Sequence, residues 1–194
     1  MEQRLVPVGI SNRHVHLAAA DLATLFGAGY QLKEMKPLSQ PGQFAAEEVV
    51  TIVGPKGKID KVRILGPERK ASQVEISQTD AYKLGLTAPV RDSGDLKGSP
   101  GLKLVGPKGE VDLDSGAILA CRHIHMTTSD ARRLGVRDKE RVRVRANGER
   151  GVTFDNVLVR VSDSFALEMH VDTDEANCAL MRNGDTVRLC LTND

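Results

Sequence analysis

Apolar and polar residues alternate along several stretches of the chain. Arg141-Val142-Arg143-Val144-Arg145 changes character at every step and then meets Asn147-Gly148. Alternation of this kind puts one face of a strand in a core and the other in solvent, and Asn-Gly is a hairpin signal. Val49 to Val53 and Lys61 to Leu65 read as strands on either side of Gly54-Pro55-Lys56-Gly57. Leu102 to Val105 runs into a second such tetrapeptide, Gly106-Pro107-Lys108-Gly109, and Val157 to Val161 and Thr186 to Leu189 complete the strand-like set. Short helices interrupt these strands. Asp21 to Leu25, Asp80 to Leu84 and Asp130 to Leu134 each open on an acid and are closely followed by Gly, with a looser run beginning near Glu175. Gln78-Thr79-Asp80 and Thr128-Ser129-Asp130 supply hydroxyls and an early acid for helix starts, and the glycines stop the helices. The fold class expected is mainly β with short α-helices: two small β-barrel domains capped by helices and internally repeated.

The repeat is visible in the letters themselves. Arg13-His14-Val15-His16-Leu17 returns as Arg122-His123-Ile124-His125-Met126. Five positions before each helix-opening acid stands a residue able to ligate metal: His16, Glu75, His125 and His170. Each of four strand-to-helix units thus delivers a donor where its strand ends. The domain division falls between residues 1–115, carrying the first His-x-His pair, and 116–194, carrying the second.

On a strand, residues i and i+2 face the same way, so a strand-borne His-x-His presents two imidazoles together. The five histidines, His14, His16, His123, His125 and His170, together with Glu75 make six donors. A catalytic zinc uses three protein ligands and keeps a position open, so the count suits two ions. Imidazole-rich sets favour zinc, with cobalt, nickel or iron behind it, whereas calcium and magnesium want more oxygen. The three cysteines, Cys121, Cys178 and Cys190, form no C-x-x-C pair and read as reduced thiols.

Composition narrows the alternatives. Aromatic residues are only 3% of the chain and Trp is absent, so the core must be aliphatic and base stacking has little support. A net charge of +1, with Lys and Arg spread along the chain, gives no nucleic-acid footprint. No segment has the apolar length of a membrane span or a signal peptide, and a cytoplasmic protein is expected. The two Gly-Pro-Lys-Gly tetrapeptides lack the spacing of a phosphate-binding P-loop and are expected to be hairpin turns. Asp92 to Gly101 is too irregular for strand or helix, and reads equally as a linker or as a functional loop.

Val6 to Leu17 resembles the opening of the PduL-type phosphate propanoyltransferase family. Gln73-Val74-Glu75-Ile76-Ser77, Arg91-Asp92-Ser93-Gly94, Arg122 to Met126 and Glu168-Met169-His170-Val171-Asp172 match the same family in the same order. The resemblance implies a phosphotransacylase: acyl-CoA plus phosphate giving acyl phosphate plus coenzyme A, reversibly, with a propanoyl or acetyl group. It implies two zinc ions per chain in a cleft between two barrel domains. His14, His16 and Glu75 would hold one ion, facing the CoA sulfur. His123, His125 and His170 would hold the other, completed by water or phosphate. Arg69 matches a phosphate-binding arginine, and Ser93 lies in a loop near the reaction centre; both are candidate catalytic residues. A homodimer is implied as well. Relatives housed in bacterial microcompartments carry an N-terminal extension, whereas here only Met1 to Leu5 precede Val6. Cytosolic use is therefore expected. Two other functions fit the residues: a dimetal acyl-CoA thioesterase with the same ligands, or a non-enzymatic metal- or nucleic-acid-binding barrel, the latter supported mainly by the arginines of 141–145.

Overall fold

The structure is a computed structural model and describes residues 4–190. In chain order it contains β1 (Leu5–Ser11), β2 (His14–His16), α1 (Ala19–Phe26), β3 (Glu34–Pro37), β4 (Phe44–Val53), β5 (Lys58–Gly66) and β6 (Gln73–Glu75). There follow α2 (Gln78–Leu84), β7 (Val90–Arg91), β8 (Leu102–Val105), β9 (Glu110–Leu113), β10 (Ala117–Ala120), β11 (His123–Met126) and α3 (Thr128–Leu134). The last elements are β12 (Arg141–Ala146), β13 (Val152–Val161), β14 (Glu168–Asp172), α4 (Thr173–Ala179) and β15 (Thr186–Cys190). The mainly-β class with short helices is thus the observed one.

The chain divides into two units. One comprises residues 12–38 and 42–120; the other comprises, among the described residues, 4–11, 39–41 and 121–190. The second unit is a closed barrel in the order β1-β14-β11-β13-β12-β15. The first unit has a nine-stranded sheet, β7-β10-β6-β2-β5-β4-β8-β9 with β3 beside β4, which curls into a half-barrel without closing.

The two sheets share a pattern. In the first, β2 lies antiparallel to β6 and parallel to β5, and β10 lies parallel to β6. In the second, β11 lies antiparallel to β14 and parallel to β13, and β1 lies parallel to β14. Hence β10-β6-β2-β5-β4-β8 matches β1-β14-β11-β13-β12-β15. The barrel closes because β15 also pairs with β1, whereas β8 turns to β9 and β10 takes β7 as its outer neighbour. The match also revises a contiguous division at 115/116. Each sequence repeat begins with a strand, β1 or β10, that is built into the sheet of the other repeat. A parallel pairing such as Val8 with Met169 leaves no local trace in the sequence.

Each unit has its own aliphatic core. Val15, Val74, Ile64 and Ala117 are fully buried in the first; Ile124, Met169, Val159 and Val8 occupy the matching places in the second. Fully burying one such side chain contributes about 1.5–3 kcal/mol. Because side chains alternate across a strand, burying Val15 and Ile124 on one face forces His14, His16, His123 and His125 to the other. The apolar middle residue is therefore what aims each pair of imidazoles.

Three helix starts are capping boxes, formed by Ser77 with Asp80, Thr127 with Asp130 and Asp172 with Glu175. The capping side chains are thus Ser77 and Thr127, one residue before the stretches that suggested them. Ala18 cannot cap α1; instead the Ser72 hydroxyl accepts from the Ala18 N–H at 2.9 Å and donates to Asp21. The two Gly-Pro-Lys-Gly segments are hairpin turns, closed by Gly54 N–H to Gly57 C=O and Gly106 N–H to Gly109 C=O. They have a further use: Lys56 N–H donates to Leu84 C=O and Lys108 N–H to Leu25 C=O, each at 3.0 Å, satisfying carbonyls at the ends of α2 and α1. No helix among the described residues is long and apolar enough to cross a membrane.

Candidate metal centres

The first centre is built on β2 and β6. Register places His14 opposite Glu75 and His16 opposite Gln73. One donor atom from each of His14, His16 and Glu75 lies within 4.8 Å of the others, and all three residues are buried. The His14 Nδ1 is 2.8 Å from the Asn12 carbonyl and the His16 Nδ1 is 3.2 Å from that of Leu65. A carbonyl only accepts, so each Nδ1 carries its proton and each Nε2 is presented as a lone pair. Burial, reinforced by the charges of His14 and Arg69, drives the His16 pKa down to about 3, so this imidazole is neutral at pH 7. Burial also pushes His14 down, but the adjacent Glu75 carboxylate outweighs it and the net shift is upward. Glu75 is held well below the ordinary carboxylate range: burial raises it, and His14, His16 and the Ser93 hydroxyl more than reverse that.

A polar network surrounds the Glu75 carboxylate. Its Oε1 accepts from Gln73 Nε2 at 2.5 Å and from the Ser93 hydroxyl at 2.8 Å. The Gln73 Oε1 accepts from the Gly94 N–H at 2.7 Å, and Arg69 Nη1 donates to Ser93 Oγ at 2.9 Å. The irregular stretch 92–101 thus begins at the first centre, where Ser93 joins Arg69 to Glu75 by hydrogen bonds. Arg69 is itself set in place by its backbone N–H, which donates to Leu17 C=O at 2.8 Å.

The second centre repeats this frame on β11 and β14. His123 lies opposite His170 and His125 opposite Glu168. Donor atoms of His123, His125 and His170 again lie within 4.8 Å of one another. The His123 Nδ1 meets the Cys121 carbonyl at 2.8 Å, the same contact two residues back that His14 makes. His170 is held differently, through its Nε2 at 2.6 Å from Glu168 Oε2, which leaves Nδ1 as its donor. Burial, followed by the charges of His123, His170 and Arg160, lowers the His125 pKa to about 2.

Both donor sets fit a divalent transition metal. Tetrahedral zinc with bonds of about 2 Å needs nitrogen and oxygen donors of this kind gathered within a few ångströms. The Nδ1 of His125 is buried and has no hydrogen-bond partner among the described residues, a costly state for a polar atom unless something else occupies it. Magnesium and calcium fit poorly, since five of the six donors are imidazoles.

The structure thus brings together all six donor candidates, in two groups of three, and places Arg69 and Ser93 beside the first group. Sequence reasoning gave no role to Gln73 and Glu168, though each precedes a donor, Glu75 or His170, by two residues. It also left open what Arg13 and Arg122 do. Arg13 Nε is 2.7 Å from Asp80, and Arg122 Nε is 2.7 Å from Glu175. Each arginine ties its His-x-His strand to the capping box of the helix that follows the partner strand.

Comparison with known proteins places this β-rich chain with its imidazole-rich centres among the acyltransferases. The family model for phosphate propanoyltransferase matches residues 7–182. The phosphate propanoyltransferase of Thermotoga maritima is 59% identical over 181 residues, covering 93% of this chain and 86% of its own. That of Salmonella typhimurium is 56% identical over 180 residues, covering 92% and 85%, and that of Rhodopseudomonas palustris is 52% identical over 185 residues, covering 95% and 82%. The chain belongs to the phosphate propanoyltransferase family, and it is an enzyme of the acyltransferase class.

Proposed function

We propose that this enzyme transfers a short acyl group, propanoyl or acetyl, reversibly between coenzyme A and inorganic phosphate, with a zinc ion in each of its two triads. The observation that carries the reading is the doubled donor frame: two triads of matching register, each with donors within 4.8 Å, in a chain of this family. His14, His16 and Glu75 would hold one ion; His123, His125 and His170 would hold the other. When bound, zinc supplies Lewis acidity toward the thioester and neutralises charge on phosphate and on the departing thiolate.

The chain's own groups account for the rest. Arg69 is a fixed guanidinium beside the first triad, held by Ser93 and by its backbone. Its planar fork binds phosphate oxygens in pairs, which fixes the nucleophile's orientation and lowers the entropic part of the barrier. Ser93 spans Arg69 and Glu75, so a shift of either group is felt by the other. The phosphate oxygen attacks the thioester carbonyl carbon, the C–S bond breaks, and CoA thiolate leaves. All five histidines stand in the triads, so none is left over as the general base for a serine or cysteine nucleophile, and an acyl-enzyme is not invoked.

The test is an acyl-CoA assay with and without phosphate. Thiol release that depends on phosphate, with acyl phosphate formed in equal amount, supports the reading. Thiol release at the same rate without phosphate would make the chain a hydrolase. Propanoyl- and acetyl-CoA compared by kcat/KM settle the acyl preference.

A further inference from the structure

In the two donor frames, the ligand pair and the residues behind it exchange charge. On β6 the strand offers Gln73, an amide, and Glu75, a carboxylate; on β14 it offers Glu168, a carboxylate, and His170, an imidazole. Each frame therefore contains one carboxylate, in a different place. We propose that Glu168 is the positioning residue of the second triad: it orients His170 and supplies the negative charge that the all-histidine triad lacks. The proposal rests on the reading that the triads hold metal.

Three observations show how the surrounding loop and strand seat this carboxylate. Its Oε2 lies 2.6 Å from His170 Nε2 and also accepts from the Ser39 hydroxyl. Gln40 holds the segment 39–41 in place by a reciprocal pair of bonds with the backbone of Ala166, at 3.0 and 3.2 Å. On the neighbouring strand β1, a Cβ at Gly9 would come 2.7 Å from the Glu168 Cδ, so the space is available only because residue 9 has no side chain. An imidazole that donates to a carboxylate through one nitrogen is fixed in orientation and made more basic at the other, which strengthens its bond to a metal. The first centre has no need of this, because Glu75 brings charge directly; there Gln73 donates to Glu75 instead. A carboxylate at position 73 would face Glu75 at that distance as a like charge.

The experiment measures zinc binding by competition with a chromophoric chelator, and cobalt absorption spectra, on the whole chain. Wild type is expected to hold two equivalents. Glu168→Gln keeps the side-chain shape and should weaken one equivalent by roughly 10–100-fold, leaving the other unchanged and altering the spectrum of one cobalt ion only. Glu168→Asp should restore part of the loss. Gly9→Ala, which displaces the carboxylate without touching it chemically, should weaken the same equivalent, and the double variant Gly9→Ala/Glu168→Gln should be no worse than the more affected single one. Gln73→Glu should weaken the other equivalent. Retention of both equivalents within about threefold in Glu168→Gln would overturn the proposal, as would equal weakening of both. Wild type that binds no zinc would overturn the metal reading of the triads, and this inference with it, a result distinct from the other two.

Discussion

In the first unit the donor strand reads Gln73-Val74-Glu75; in the second it reads Glu168-Met169-His170. The strand opposite is nearly the same in both, a His-x-His pair whose middle residue is buried and whose leading arginine reaches a capping box. The backbone frame is duplicated and the chemistry is not. One centre has a carboxylate among its donors, with Arg69 and Ser93 beside it; the other has three imidazoles and its carboxylate behind them. A repeated fold can thus supply two sites with the same geometry and different electrostatics, at the cost of two substitutions on one strand.

The largest expected effect comes from removing one donor on either side. His16→Ala and His125→Ala should each lose one zinc equivalent and lower turnover by roughly a thousandfold, since metal polarisation is worth several kcal/mol and each 1.4 kcal/mol is tenfold. The comparison is sharpened by substrate dependence: the first variant should chiefly impair thioester use and the second phosphate use. Equal defects toward both substrates, with both ions lost together, would show that the two centres act as a single cluster.

Next in size is Arg69→Ala, expected to raise the phosphate KM far more than that for acyl-CoA. A charge-assisted contact of this kind contributes about 1.5–3 kcal/mol, or roughly ten- to a hundredfold. Arg69→Lys should recover part, because a point charge replaces a fork. Steady-state kinetics with each substrate varied decides it, and an unchanged phosphate KM removes Arg69 from the site.

The candidate donors were legible because their spacing is local. His-x-His needs only the two-residue period of a strand, and the four-fold recurrence of a donor before a helix start is visible without coordinates. Gln73 and Glu168 were not legible, although they sit in plain view two residues before candidate donors. Their meaning depends on cross-strand register, His16 with Gln73 and His125 with Glu168, and register is set by pairings between distant segments. The same reason hid the exchange of β1 and β10 between the repeats. The hairpin turns were read correctly as turns, but their contacts with helix ends required the tertiary structure.

A smaller effect distinguishes the two arginine anchors. Asp80 is nearly buried, with 5% of its side chain exposed, while Glu175 retains 20%. Arg13→Ala should therefore destabilise the chain by about 3 kcal/mol, as expected when one partner of a buried pair is removed. Arg122→Ala should cost about 1 kcal/mol, nearer to the value for an exposed pair. Thermal unfolding of both variants measures the difference, and equal shifts in Tm would mean that burial of the acid is not what decides it.

The smallest is a gain. α1, α2 and α3 end at glycines, but α4 ends at Leu180, an exposed residue with φ of 55° in the left-handed region. Leu180→Gly should stabilise the second unit by up to about 1 kcal/mol, the strain of a side chain in that conformation less the added freedom of glycine when unfolded. A lowered Tm would mean that the leucine side chain contributes more by packing than its backbone costs.

The exchange of β1 has a consequence for the order in which the chain can assemble during synthesis. The strand is made before the strands of the half-barrel, but its partners, β14 and β15, are made after them. The half-barrel has all of its strands once Ala120 has been translated. The barrel must wait for nearly the whole chain, at ribosomal rates of about 5–20 residues per second. Throughout that wait Leu5 to Ser11 is an apolar strand with neither edge paired, the kind of segment that recruits the wrong neighbour. The nascent chain thus carries β1 with unpaired edges until β14 and β15 have been made, and Pro7, which offers no N–H, blunts one of those edges meanwhile.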